Sequence, residues 1–356
     1  MINSSLNTII EDLILIVSSG TLAFIIFMIL TPWFHNQLLK FRIGKQLREN
    51  ALSGEKSTIF NQLHAKKSGT PTMGGLLIWG TIIFVVIISA VLHKFGIFNQ
   101  SLFNRKETWI PLFTLVSCGI LGAVDDYINV RGIGKHKGLS AKWKFFWQLV
   151  FSLAGAWWFY SKLGFDSIKM PIPGAEEIYL GIWYIPVFVF IIIATANAVN
   201  FTDGLDGLAA GLLILAFGSF GVLAYSKGLL ILSALCAVIA GANLAFLWFN
   251  VPPAKFYMGD TGSLALGATL GVIAMLTDQG LILPIVGFMF VIEALSVIIQ
   301  LTSKKFLKRK VFKIAPIHHH FEQCGWQEWT IVMRFWIIGG IMGAFGTILG
   351  LLNILK

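Results

Sequence analysis

Four short stretches of this sequence carry carboxylates or histidines able to do chemistry. Asp125 and Asp126 stand side by side in GAVDDYINV, Asp203 and Asp206 lie in NFTDGLDG, Asp260 in MGDTGS, and His318, His319 and His320 in APIHHHFE. Adjacent carboxylates repel, and the C-terminal helix end where an apolar run would place Asp125 and Asp126 disfavours anions, so a cation must offset them. Asp203 and Asp206 sit between two apolar runs with almost no loop to solvate them, and ionisable groups at such depth mark function. For Asp206, simple turn punctuation is an equal alternative. Glycines flank Asp260 and let backbone approach a ligand closely. Hard oxygens of this kind suit Mg²⁺, which takes one or two carboxylates and completes its shell with water and substrate phosphates. Asp260 and Asp203, with Asp125 and Asp126, are the candidate carboxylates for such an ion.

Three successive histidines cannot easily point at one metal from a regular helix or strand. Binding phosphate or sugar, or moving protons, suits His318, His319 and His320 better than a zinc triad. Cys324 follows them as a lone thiol, and three cysteines in all make no disulfide framework. Lys67, Lys137 and Lys255 lie in the same polar loops and can neutralise phosphates; taken singly, each is more simply explained by the positive-inside bias of cytoplasmic loops. Tyr257 offers a ring to stack on a flat base or to anchor a helix at an interface. Glu293 falls inside an apolar run, FVIEALSV, where it either faces the site or pairs with a neighbour.

The elements that must position these groups are apolar. The chain is 56% hydrophobic and 12% charged, with a mean hydropathy of +0.78; a soluble domain carries about 25% charged residues. Windows of about 20 apolar residues predict ten helical spans, at 13–34, 73–93, 108–125, 141–161, 181–199, 205–225, 229–249, 262–277, 281–302 and 329–352. The fold class is therefore all-α, one polytopic membrane domain over residues 1–356. Of the 27 Lys and Arg, twenty fall in or beside the loops after the odd-numbered spans. That bias puts those loops in the cytoplasm and both termini in the periplasm. No basic residue precedes the first span and several follow it, the reverse of a cleaved signal peptide. Every polar motif falls in a loop on the cytoplasmic side, although the motifs did not set the topology. A net charge of +10 so distributed indicates a membrane surface and an anionic substrate, with no nucleic-acid partner.

A carboxylate-rich site with lysines and histidines at the cytoplasmic face fits phosphoryl transfer from a soluble phosphorylated substrate to a lipid. A proton-coupled secondary transporter also buries Asp, Glu and His, but near the membrane midplane and on internal repeats, and no repeat is visible. A polytopic scaffold leaves five polar motifs on one face without a use.

In order and spacing, KSGTPTMGG, GAVDDY, NAVNFTDGLDGLAAG, AKFYMGDTGSLALG and APIHHHFE resemble the phospho-N-acetylmuramoyl-pentapeptide-transferases. DDY, DGLDG and the Gly-Asp-Thr-Gly pattern are similar to the wider superfamily of polyprenyl-phosphate N-acetylhexosamine-1-phosphate transferases. The unbroken PIHHHFE is the specific part, so a sibling using UDP-N-acetylglucosamine is the nearest alternative. The resemblance implies transfer from UDP-N-acetylmuramoyl-pentapeptide to undecaprenyl phosphate in the bacterial inner membrane, Mg²⁺ as cofactor, and a homodimer. It implies that Asp260 is the principal metal ligand, that Asp125 and Asp126 handle the lipid phosphate and metal, and that Asp203 is a further catalytic carboxylate. His318 and His319 then belong to the active-site histidine motif, while Lys67, Thr72, Asn200, Asn250 and Tyr257 line the nucleotide and phosphate region. Two positions depart from the family: Asn129 stands where a Lys is usual, and Tyr257 where Phe is usual.

Overall fold

Backbone N–H and C=O groups in hydrocarbon must be paired within the protein, and the apolar runs answer with helices. The computed structural model describes residues 2–44, 69–97, 100–104, 106–133, 138–172 and 174–354. Its long helices are α1 (Ile2–Lys40), α2 (Gly75–Lys94), α3 (Trp109–Arg131), α4 (Ala141–Trp158), α5 (Tyr184–Thr202), α6 (Leu208–Ser226), α7 (Leu230–Asn250) and α8 (Asp260–Leu276). Then follow the short α9 (Leu283–Val286), α10 (Phe288–Thr302), the short α11 (Ile317–Gln323) and α12 (Glu328–Ile354). The described β-structure is confined to a two-residue hairpin, β1 (Ser167–Ile168) against β2 (Ile178–Tyr179), and one isolated bridge between Gly44 and Pro71.

Among the described residues seven helical segments are long and apolar enough to cross a membrane: Leu6–Lys40, Gly75–Lys94, Trp109–Arg131, Gly181–Thr202, Leu208–Ser226, Leu230–Asn250 and Glu328–Ile354. The other three expected spans coincide with weaker helices. α4 carries Lys142, Lys144 and Gln148, α8 has 17 residues, and the ninth span is broken. Pro284 at the start of α9 and Gly287 after it divide that run, leaving 15 residues in α10. A second correction concerns α3. It does not stop at residue 125 but continues to Arg131, where Gly132 closes it at φ 64°. Asp125 and Asp126 are thus buried members of a helix rather than its exposed end.

The centre of the bundle is α8, whose residues from Thr261 to Leu276 are all buried. It packs mainly against α3 and α5, with α2 and α6 alongside. Between helices in a membrane, close approach replaces the hydrophobic drive, and small residues permit it. Gly122 of α3 lies directly on the Asp260–Thr261 backbone, and a Cβ there would overlap the Asp260 carbonyl. Gly75 meets Gly262 in the same way. On the outside, Ile14, Val17, Ile29, Trp33, Ile337 and Ile341 are exposed, the surface expected against lipid rather than water.

The bundle end opposite the polar motifs is closed by its own ties. Lys169 Nζ donates to the Asn353 carbonyl at 2.6 Å, and Asn353 Nδ2 to the Met170 carbonyl at 2.7 Å, fastening the segment after β1 to α12. Asp278 pairs with Lys227 at 3.4 Å; burial raises its carboxyl above the usual range, with the Lys227 ammonium opposing the rise.

Candidate active site

The body of α3 and three helix ends meet at one point. Asp125 from α3 places Oδ2 at 2.6 Å from Lys144 Nζ, and Asp260, the first residue of α8, places its own Oδ2 at 2.6 Å from the same nitrogen. The remaining oxygens are held by protein donors. Leu139 N–H donates to Asp125 Oδ1 at 2.5 Å, and Asn200 Nδ2, in the last turn of α5, donates to Asp260 Oδ1 at 2.9 Å. Asn200 Nδ2 also reaches Ser263 Oγ at 2.8 Å, and Ser263 Oγ donates to the Gly259 carbonyl. Side-chain exposure is 2% for Asp125 but 22% for Asp260 and 20% for Lys144, so the cluster opens to solvent past the latter two.

Asp126 does something different. Its Oδ2 accepts the Thr261 N–H at 3.0 Å and hydroxyl at 2.7 Å, and its Oδ1 accepts the Asp260 N–H at 3.2 Å. The first N–H groups of a helix have no intrahelical partner and favour an anion. Asp126 supplies that anion from a neighbouring helix and so fixes where α8, and with it Asp260, begins. Gly259 enters this turn at φ 73°, with Asp126 and Thr72 where a side chain would stand.

The other expected site residues are held by contacts of their own. Thr72 is buried, its N–H donating to the Ile43 carbonyl at 3.0 Å. Tyr257 donates its N–H to the Pro71 carbonyl and accepts from Gly74 N–H, both at 2.8 Å, which stitches PTMGG to the loop before α8. Asn250 has both amide groups on backbone, accepting from Gly207 N–H at 2.9 Å and donating to the Phe256 carbonyl at 3.0 Å. Asp203 ends α5 half-buried, three residues after Asn200. Asp206 is buried; its Oδ2 accepts from Ala254 N–H at 3.0 Å, and its own N–H donates to Glu328 Oε1 at 2.8 Å. Lys255 places its amine 5.5 Å from the Phe249 ring. Lys67 and Lys137 lie outside the described residues.

α11 fans the three histidines around a helical turn, as successive residues must. His318 is fully buried, its Nδ1 at 3.0 Å from Glu293 Oε2 but without hydrogen-bond alignment, and its ring packs on Gly204 where a Cβ would collide. Glu293 is equally buried and faces His318. His319 Nδ1 lies 2.6 Å from Glu322 Oε2. His320 Nδ1 accepts from Lys313 N–H at 3.2 Å.

Lys144 escaped sequence reasoning because it looks like one more basic residue of a cytoplasmic loop; only the fold aims it at Asp125 and Asp260. Thr261, Ser263, Glu322 and Glu328 were missed for the same reason, being ordinary until their partners are known. Among the described residues no three His, Cys, Asp or Glu side chains gather into a ready-made metal cage. Mg²⁺ does not need one: two hard carboxylate oxygens aimed at a common point, open on one side, match its usual protein share.

Residues 108–278 match glycosyl transferase family 4, and residues 67–78 match phospho-N-acetylmuramoyl-pentapeptide-transferase signature 1. The phospho-N-acetylmuramoyl-pentapeptide-transferase of Geobacillus sp. (strain WCH70) is 40% identical over 326 residues, 91% of this chain and 94% of that protein. That of Geobacillus kaustophilus (strain HTA426) is 41% identical over 334 residues, 93% of this chain and 96% of its own. The Bacillus anthracis enzyme is 40% identical over 339 residues, covering 94% and 98%. With such identity along almost the whole length, this chain belongs to the phospho-N-acetylmuramoyl-pentapeptide-transferase family, a family of phosphotransferases, and is a multi-pass membrane enzyme.

Proposed function

We propose that the chain transfers phospho-N-acetylmuramoyl-pentapeptide from UDP-N-acetylmuramoyl-pentapeptide to undecaprenyl phosphate, releasing UMP, with Mg²⁺ as cofactor. The reaction would take place at the cytoplasmic face of the bacterial inner membrane, in a bundle of ten spans with both termini periplasmic, working as a homodimer. The observation that carries this reading is the Asp125–Lys144–Asp260 cluster, with its oxygens oriented by Leu139 and Asn200.

The attacking group is an oxygen of the lipid phosphate. A phosphate monoester has a second pKa of about 6, so at neutral pH the nucleophile is already mostly dianionic and needs little help from a base. Positioning and charge neutralisation are then the main demands, as is general for phosphoryl transfer. Asp260 and Asp125 would hold Mg²⁺, which when bound supplies positive charge to the diphosphate. Lys144 adds an ammonium within reach of the diphosphate beside the metal, and Asn200 keeps Asp260 turned toward the metal. The half-buried Asp203 would complete the carboxylate set. Asp126 positions Asp260 through the α8 terminus. His319 and His320 would contact the sugar phosphate, with Lys67 and Lys137 as further cations and Tyr257 as the face for uracil; buried His318 would set the height of α11. Direct attack on the β-phosphorus is preferred to a covalent aspartyl-phosphate on Asp126, because both Asp126 oxygens are engaged on the first turn of α8.

The test is UMP release by detergent-purified protein given undecaprenyl phosphate, with the muramoyl-pentapeptide or the N-acetylglucosamine nucleotide as donor, in Mg²⁺ or EDTA. Release from the first donor alone, abolished by EDTA, is expected. Release from the second would assign the chain to the sibling reaction, and substrate-driven proton flux without UMP release would make it a transporter.

A further inference from the structure

Each carboxylate of the Asp125–Asp260 pair has one oxygen tied to a protein donor, and the two oxygens left over meet at one point. That point is held by the Lys144 ammonium, 2.6 Å from both. Mg²⁺ binds carboxylate oxygen at about 2.0–2.1 Å, so a metal at this point and the ammonium exclude one another. Two anions this close need positive charge whether or not a metal is present, because unpaired they repel in a poorly solvated place.

We propose that Lys144 is a built-in substitute for the divalent cation. Its ammonium holds Asp125 and Asp260 together in the metal-free protein and yields the point when the metal binds. The inference rests on the reading above that these two carboxylates take the metal. Lys144 is well suited to yield. Its charge rides on four flexible methylenes from the first turn of α4, and the side chain keeps 20% exposure, enough room to swing toward an incoming phosphate. An arginine would hold both carboxylates by a rigid fork and give way less readily.

The experiment uses the full chain in detergent and Mn²⁺ as the probe, with binding read from the loss of the free-ion paramagnetic resonance signal. Lys144→Met should bind Mn²⁺ about tenfold or more tighter than the unsubstituted protein, since one competing charge is gone. Equal or weaker binding by a folded Lys144→Met would overturn the proposal. Absence of binding to either protein would overturn it together with the metal assignment, so the two failures are distinguishable. A second measurement needs no variant. Acetylation of Lys144 by acetic anhydride, quantified by mass spectrometry against the exposed Lys308, should rise when Mg²⁺ is added, because the amine leaves its carboxylates. Unchanged or reduced acetylation would also overturn the proposal.

Discussion

Asp260 divides its two oxygens between Asn200 and Lys144, and that division makes it the most sensitive position in the site. Asp260→Asn keeps the shape and removes the charge; turnover should fall at least about 100-fold, while size-exclusion behaviour and thermal unfolding stay near those of the parent. Activity close to normal would remove Asp260 from the metal set. Asp126 belongs to another category despite standing next to Asp125. Its oxygens are spent on the first turn of α8, so Asp126→Ala should cost about 1.5–3 kcal/mol of stability as well as activity, and Asp125→Asn should cost activity with little stability. A thermal-shift comparison of the two variants decides the matter. Asn129 stands where the resemblance implies a Lys; Asn129→Lys should leave turnover nearly unchanged, and a large drop in measured UMP release would give Asn129 a use of its own.

Helices set what those residues can reach, and they do so through glycine contacts. A Cβ on Gly122 would overlap the Asp260 carbonyl, so Gly122→Ala should push α3 from α8 and destabilise by about 1–3 kcal/mol, read as a lowered unfolding temperature. The same contacts explain what was legible from the sequence and what was not. Asp125, Asp203 and Asp260 announced themselves because a charge beside an apolar run has no cheap structural excuse. Most of the helices were legible from apolar length, since hydrocarbon leaves few alternatives to a helix. The break at Gly287 and the extension of α3 to Arg131 were not, because an apolar-window count registers neither a Pro and Gly interruption nor a helix carried past its apolar run to a capping glycine. Lys144 was invisible for a related reason: a lysine in a basic loop looks like any other until α4 turns it inward. The histidine run was readable as a site but not as three separate environments, one buried against Glu293, one on Glu322 and one near Lys313.

At the scale of the whole molecule, Cys324 gives a native reporter of orientation. It is exposed beside the histidines, while Cys118 and Cys236 are buried. A membrane-impermeant maleimide should label Cys324 in inverted vesicles and leave it unlabelled in intact spheroplasts; labelling in spheroplasts would reverse the topology. The central helix α8 has a consequence of its own. Seventeen residues at about 1.5 Å each give a length of about 26 Å, against a hydrocarbon layer of about 30 Å. Centred in that layer, the helix would start its carboxylate about 2 Å inside the headgroup boundary. A phosphate on a long isoprenoid tail can meet it by sliding sideways, without being lifted toward water. In the proposed reaction the traveller would then be the nucleotide, which would have to descend, so solvent viscosity should bear on its arrival and bilayer thickness on the lipid's.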